Sequence, residues 1–124
     1  MEVTEGTEQR RRVIVVEDDS DIASLLTDIL ETDGYAAVAV SDSVALEHAL
    51  DRRPDLVVLD LRLTRGGADR ILESLRARDM GDVPILLLSA ASDLPDRARE
   101  LGVAQYLAKP FELDELLITI RRMV

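Results

Sequence analysis

Leu56-Val57-Val58-Leu59-Asp60 is a run of four aliphatic residues closed by an acid, and its reading decides the fold. A short apolar run without polar alternation reads as a strand buried on both faces, the habit of a parallel sheet covered by helices on each side. The same pattern recurs upstream in Val13-Ile14-Val15-Val16, ended by Glu17-Asp18-Asp19, and downstream in Ile85-Leu86-Leu87-Leu88, opened by Pro84 and ended at Ser89. Tyr35 to Val40 and Val103 to Leu107 complete a set of five, the last followed by Lys109-Pro110.

The intervals carry helical periodicity. Ile22, Leu25, Leu26, Ile29 and Leu30 form one apolar stripe, with Asp19 or Ser20 placed to cap its start and Gly34 at its end. A second helix is expected over Ser41 to Arg53, with Val44, Ala49 and Leu50 inward, Leu46 partly so, and Pro54 as its stop. Ile71, Leu72 and Leu75 mark a third helix, Pro95 to Leu101 a short fourth, and Leu113, Leu116, Leu117 and Ile120 a fifth. Five strands alternating with five helices predict an α/β, doubly wound five-stranded parallel sheet, and sites in such sheets form at the carboxyl ends of strands.

That rule yields a short set of candidates: Glu17 and Asp18, Asp60, Ser89 and Lys109. With strand order 2-1-3-4-5, the flavodoxin-like arrangement, all four ends meet on one edge. Two like charges about 4 Å apart cost roughly 4 kcal/mol at an effective dielectric near 20, so converging carboxylates call for a cation. Hard oxygen donors suit Mg²⁺, which leaves positions open for phosphate oxygens when one or two carboxylates hold it. Lys109 and the Ser89 hydroxyl would complete a cradle for a phosphoryl group. Fourteen of the fifteen basic residues are arginine, and the single lysine is this one.

The blocks VIVVEDD, LVVLDLRL, ILLLSA and YLAKPF, in this order, resemble the signature segments of response-regulator receiver domains of bacterial two-component systems. The resemblance implies Asp60 as phosphoacceptor, with Ser89 and Lys109 engaging the phosphoryl group and Ser89 and Tyr106 acting as switch residues. It implies a Mg²⁺ site formed by Asp18 and Asp60 directly, Glu17 through water and the backbone carbonyl of Arg62, and a cis peptide before Pro110. The implied function is to accept a phosphoryl group from a histidine kinase or phosphotransfer protein and to switch contacts with a downstream effector. The resemblance further implies a domain that is not an enzyme, although it assists its own phosphorylation and dephosphorylation. Two features depart from the pattern: Thr64-Arg65-Gly66-Gly67 after the phosphoacceptor, and Val103-Ala104-Gln105 where acids often pair across a dimer.

Two rival readings compete with this one. A pseudo-receiver would use the same fold as an interaction module without phosphorylation. A phosphatase of the haloacid-dehalogenase type would need a second aspartate as general acid at the position of Arg62, and would place its nucleophile on the first strand.

Composition narrows the rest. The chain has 124 residues, no cysteine, a net charge of −10 and only three aromatics, Tyr35, Tyr106 and Phe111. Thiolate chemistry is excluded, a base-stacking surface is disfavoured, and direct nucleic-acid binding lacks its basic footprint. No apolar run reaches membrane-spanning length, which leads to the expectation of a cytoplasmic domain. Residues 1–12 are expected to be a disordered lead-in, Arg10 to Arg12 included, and residues 13–124 the receiver domain. Asp19 and Asp21 read as helix-start acids, and His48 as a solvated surface residue.

Overall fold

The computed structural model describes residues 10–61, 67–90, 92 and 94–124. In chain order the elements are β1 (Arg12–Val16), α1 (Ser20–Thr32), β2 (Ala36–Val40), α2 (Ser43–Ala49), β3 (Leu56–Asp60), α3 (Gly67–Ala77), β4 (Ile85–Ser89), α4 (Leu94–Leu101), β5 (Gln105–Ala108) and α5 (Leu113–Met123). The sheet is parallel throughout and runs β2-β1-β3-β4-β5, as the sequence predicts.

Alternate residues of the central strands supply two cores. Ile14, Val16, Val57, Leu59 and Leu87 face the layer made by α2, α3 and α4. Val13, Val15, Leu56, Val58, Leu86 and Leu88 face the layer made by α1 and α5. This two-sided burial explains why β1, β3 and β4 show no polar alternation. The edge strands β2 and β5 are more open, and β5 keeps only Leu107 half-buried. No helix among the described residues is long and apolar enough to cross a membrane.

Several boundaries differ from the sequence expectation. The second helix spans Ser43–Ala49 rather than Ser41 to Arg53, because Asp42 stands in extended backbone and its Oδ1 accepts the Ala45 N–H at 2.8 Å. Beyond Ala49 the chain tightens, with Asp51 N–H donating to His48 O at 3.3 Å and Arg52 N–H to Ala49 O at 3.4 Å. Leu46 and Leu50, one turn apart, define the inward stripe. Leu46 is therefore fully buried, and Val44, on the opposite side, is 67% exposed.

Leu113 also turns outward, at 47% exposure, because Leu116 and Ile120 occupy the core-facing stripe of α5. The stripe of α1 runs through Ala23, Leu26 and Leu30 and leaves Leu25 exposed. The fifth strand starts at Gln105, not Val103, since the Val103 N–H closes the end of α4 on Ala98 O at 2.8 Å. The second strand begins at Ala36, with Tyr35 buried just before it.

The lead-in reading fails at Arg12. This residue opens β1, its backbone N–H donates to Asp55 Oδ2 at 2.8 Å, and its guanidinium donates to Ala49 O at 2.7 Å and Arg52 O at 3.2 Å.

Candidate phosphoacceptor site

Sheet register alone assembles most of the site. Val16 lies opposite Leu59, so the next residues on each strand, Glu17 and Asp60, leave the sheet side by side. Ser89 ends β4 opposite Ala108, the last residue of β5, and Lys109 follows at once. Main-chain bonds hold these ends together: Glu17 N–H donates to Val40 O at 3.0 Å, Leu61 N–H to Leu88 O at 2.9 Å, and Lys109 N–H to Ser89 O at 2.8 Å. The Lys109–Pro110 peptide is cis, as expected.

The side chains converge. Asp60 and Glu17 are each 2% exposed and Ser89 is 3% exposed, and they are the only buried polar residues among those described. Lys109 Nζ donates to Asp60 Oδ2 at 2.7 Å, an ion pair buried on the carboxylate side and partly open on the ammonium side. The Glu17 and Asp60 carboxyls face each other. Burial first, then hydrogen bonding with Asp60 and its charge, push the Glu17 carboxyl up to about 7, against the opposing pull of the Asp19 N–H and Lys109. Two buried acids thus share one ammonium, and the pocket is short of positive charge.

That shortage is what a divalent cation relieves, and the oxygen-only donor set fits Mg²⁺ rather than a softer metal. The expected meeting of three carboxylates is only partly met. Glu17 and Asp60 pair, whereas Asp18 is exposed, and no three acidic, His or Cys side chains among the described residues draw together tightly enough to hold a metal by themselves. Arg62, whose carbonyl was expected to add a ligand, lies outside the described residues, as does the Thr64 to Gly66 segment. Tyr106 stands outward on β5, 42% exposed.

Sequence reasoning treated Asp19 as a helix-start acid and missed its second task. Its Oδ1 caps α1 by accepting the N–H groups of Asp21 and Ile22 at 2.9 and 3.1 Å, and its own N–H donates to Glu17 Oε2 at 3.1 Å. One residue therefore starts the helix and fixes the orientation of the buried glutamate. An N-cap aspartate two residues after a strand-end acid is the signal that could have revealed it.

Comparison with known proteins agrees with this geometry. The family model for the response regulator receiver domain matches residues 13–121. The transcriptional regulatory protein PrrA of Mycobacterium tuberculosis is 40% identical over 116 residues, which cover 91% of this chain and 49% of PrrA. The chain thus spans about half the length of the curated relatives it matches. The non-phosphorylated HemR receiver domain from Leptospira biflexa superposes with a TM-score of 0.77 at 34% identity, covering 92% of this chain and 94% of that one. The receiver domain of the sensor histidine kinase PA1611 from Pseudomonas aeruginosa, described with a magnesium ion coordinated in its active-site cleft, gives 0.78 at 29% identity, with 92% and 97% covered. Fold, strand-end chemistry and relatives agree: the chain belongs to the response-regulator receiver domains of two-component signal transduction.

Proposed function

We propose that Asp60 is the phosphoacceptor and that the domain takes its phosphoryl group from a histidine kinase or phosphotransfer protein in a Mg²⁺-dependent reaction. The observation that carries this reading is the placement of Asp60, buried at the end of β3, beside Glu17 and 2.7 Å from the only lysine of the chain. A carboxylate oxygen of Asp60 attacks phosphorus, and the bond from phosphorus to the donor breaks as the new O–P bond forms. Lys109 is placed to move from the carboxylate to a phosphoryl oxygen, and the Ser89 hydroxyl to donate to another. Asp18 and Asp60, with Glu17 through water and the Arg62 carbonyl, would hold Mg²⁺. When bound, the ion supplies positive charge to the phosphoryl oxygens.

Engagement of Ser89 would draw Tyr106 inward from its exposed position and change the surface offered to a downstream effector. Hydrolysis of the acyl phosphate by the same residues returns the domain to its resting state, so the domain assists its own switching without turning over a substrate. The proposed setting is the cytoplasm. The expectation of no direct nucleic-acid contact is kept only for these 124 residues, since relatives such as PrrA are transcriptional regulators about twice as long.

Incubation with acetyl phosphate and Mg²⁺ tests the reading. One added phosphoryl mass is expected, absent in Asp60→Asn and absent in EDTA. Equal labelling of Asp60→Asn would move the acceptor elsewhere, and no labelling of the unaltered chain would favour the pseudo-receiver.

A further inference from the structure

Asp19 is bound through three of its polar groups. Its N–H donates to Glu17 Oε2 at 3.1 Å, its carbonyl accepts the Ala23 N–H at 2.9 Å, and its Oδ1 accepts the Asp21 and Ile22 N–H groups. The first of these bonds spans Asp18 and closes a small ring from the Glu17 carboxylate to the Asp19 main chain. On the other side the sheet fixes the ring, where the Glu17 N–H donates to Val40 O at 3.0 Å. The main chain that carries Asp18 is therefore held at both ends, by β2 before it and by α1 after it.

The ring depends on the direction of the Asp19 N–H, and the cap sets that direction. Asp19 stands in extended backbone (φ −86°, ψ 115°) while Ser20 already belongs to α1, and the bonds to Oδ1 keep this change of conformation at residue 19. Without that carboxylate the Ser20 hydroxyl is the next available cap, and a start displaced by one residue re-aims the N–H of residue 19. The same N–H favours the ionised Glu17 carboxylate, against its burial. Asp42 caps α2 in a similar way, with its Oδ1 on the Ala45 N–H at 2.8 Å, but makes no bond to an acid of the pocket among the described residues.

We propose that Asp19 is a positioning residue of the phosphoryl-transfer site: as the cap of α1 it fixes the Glu17 carboxylate beside Asp60 and the turn that presents Asp18, and so sets how well these acids receive a divalent cation. Asp19 acts through Glu17 and touches neither the phosphoryl group nor the ion. This role rests on the reading of Glu17 and Asp18 as Mg²⁺ ligands.

The test is a calorimetric Mg²⁺ titration of the full chain, without phosphodonor, on Asp19→Asn, Asp19→Ser and Asp19→Ala. All three lose the same exposed charge, so their comparison isolates the cap: Asn and Ser keep a side-chain oxygen for the α1 N–H groups and Ala does not. Asp19→Ala should bind Mg²⁺ about tenfold more weakly than Asp19→Asn or Asp19→Ser, the loss usual when a group that orients a metal ligand is removed. In a Glu17→Ala background, where no carboxylate remains to be held, the difference between Asn and Ala should disappear. Asp42→Ala removes the cap of the other helix and should leave the Mg²⁺ affinity unchanged. Amide exchange in EDTA reads the ring without metal and serves if Glu17→Ala does not fold: residue 19 should be protected in the unaltered chain and in Asp19→Asn, and unprotected in Asp19→Ala. Equal affinities of Asp19→Asn and Asp19→Ala, a difference that survives in Glu17→Ala, a comparable loss in Asp42→Ala, or unchanged protection in Asp19→Ala would reduce Asp19 to an ordinary helix cap and overturn the proposal. No Mg²⁺ uptake by the unaltered chain would instead overturn the metal reading, and the role of Asp19 with it.

Discussion

As the proposed phosphoacceptor, Asp60 has to combine three properties in one carboxylate: burial, ionisation and access. Lys109 meets the second and, because the lysine is partly open to water, does not block the third. Removing one member of a buried pair typically costs about 3–5 kcal/mol because the other charge is left uncompensated. Lys109→Met is expected near or below the lower end of that range, given the lysine's partial exposure. Asp60→Asn removes one of two neighbouring acids and should cost less, since it also relieves the contact with Glu17. Urea unfolding of both variants in EDTA checks the order, and an asparagine variant less stable than the methionine one would contradict this electrostatic account. Asp60, Glu17, Ser89 and Lys109 were legible in the sequence because a parallel sheet puts chemistry at strand ends, and each of them ends or follows a strand. The exposure of Asp18 and the clamp from Asp19 were not legible, because both depend on how the chain turns between β1 and α1.

Among the elements, the strands were read more accurately than the helices. A buried strand leaves a continuous apolar run, whereas a short helix exposes three sides and its limits depend on single capping bonds. In α2, Asp42 moved the start to Ser43, and with it the register that sends Val44 outward and Leu46 inward. The energetic contrast is measurable. Leu59→Ala, at a fully buried position of β3, should cost about 2–5 kcal/mol through lost burial and the cavity left behind. Val44→Ala should stay within about 0.5 kcal/mol of the unaltered chain. Comparable losses at the two positions would mean that α2 packs with the register first expected from its sequence.

For the molecule as a whole, folding concentrates like charge at one edge of the sheet, and a bound cation should stabilise the folded form over the unfolded one. Ligand linkage gives about 2.7 kcal/mol at a hundredfold excess over the dissociation constant, or roughly 10 °C in melting temperature for a domain of this size. Asp18→Ala should lose most of the Mg²⁺-dependent rise while melting close to the unaltered chain in EDTA, since Asp18 is exposed and without an ion pair among the described residues. An unchanged Mg²⁺ response in that variant would remove Asp18 from the ligand set. The topology was legible because strand-helix alternation permits few right-handed arrangements. The ten Asp and Glu of residues 13–51, where no Lys or Arg stands, are equally present in the sequence, but they become one surface only once β1 to α2 are known to lie side by side.

The family match begins at residue 13, one position after Arg12, and a boundary drawn there would sever a fastening. Arg12 ties the start of β1 to the loose end of α2 through two carbonyls, and to the turn before β3 through Asp55, whose N–H returns a bond to Arg12 O at 2.7 Å. Burial, and then the nearby Arg52, lower the Arg12 guanidinium below its ordinary value, yet it stays charged because its ordinary value is so high. A chain trimmed to begin at Val13 should therefore keep the arrangement around Asp60 and lose the anchor of its second helix. Amide exchange would show it as faster exchange at Asp51 and Arg52, with the strand ends around Asp60 unaffected, compared with a chain trimmed two residues earlier. The start of the family match therefore lies inside the bonded sheet, since Arg12 and, through the Ala36 N–H to Arg11 O bond at 2.9 Å, Arg11 both belong to it.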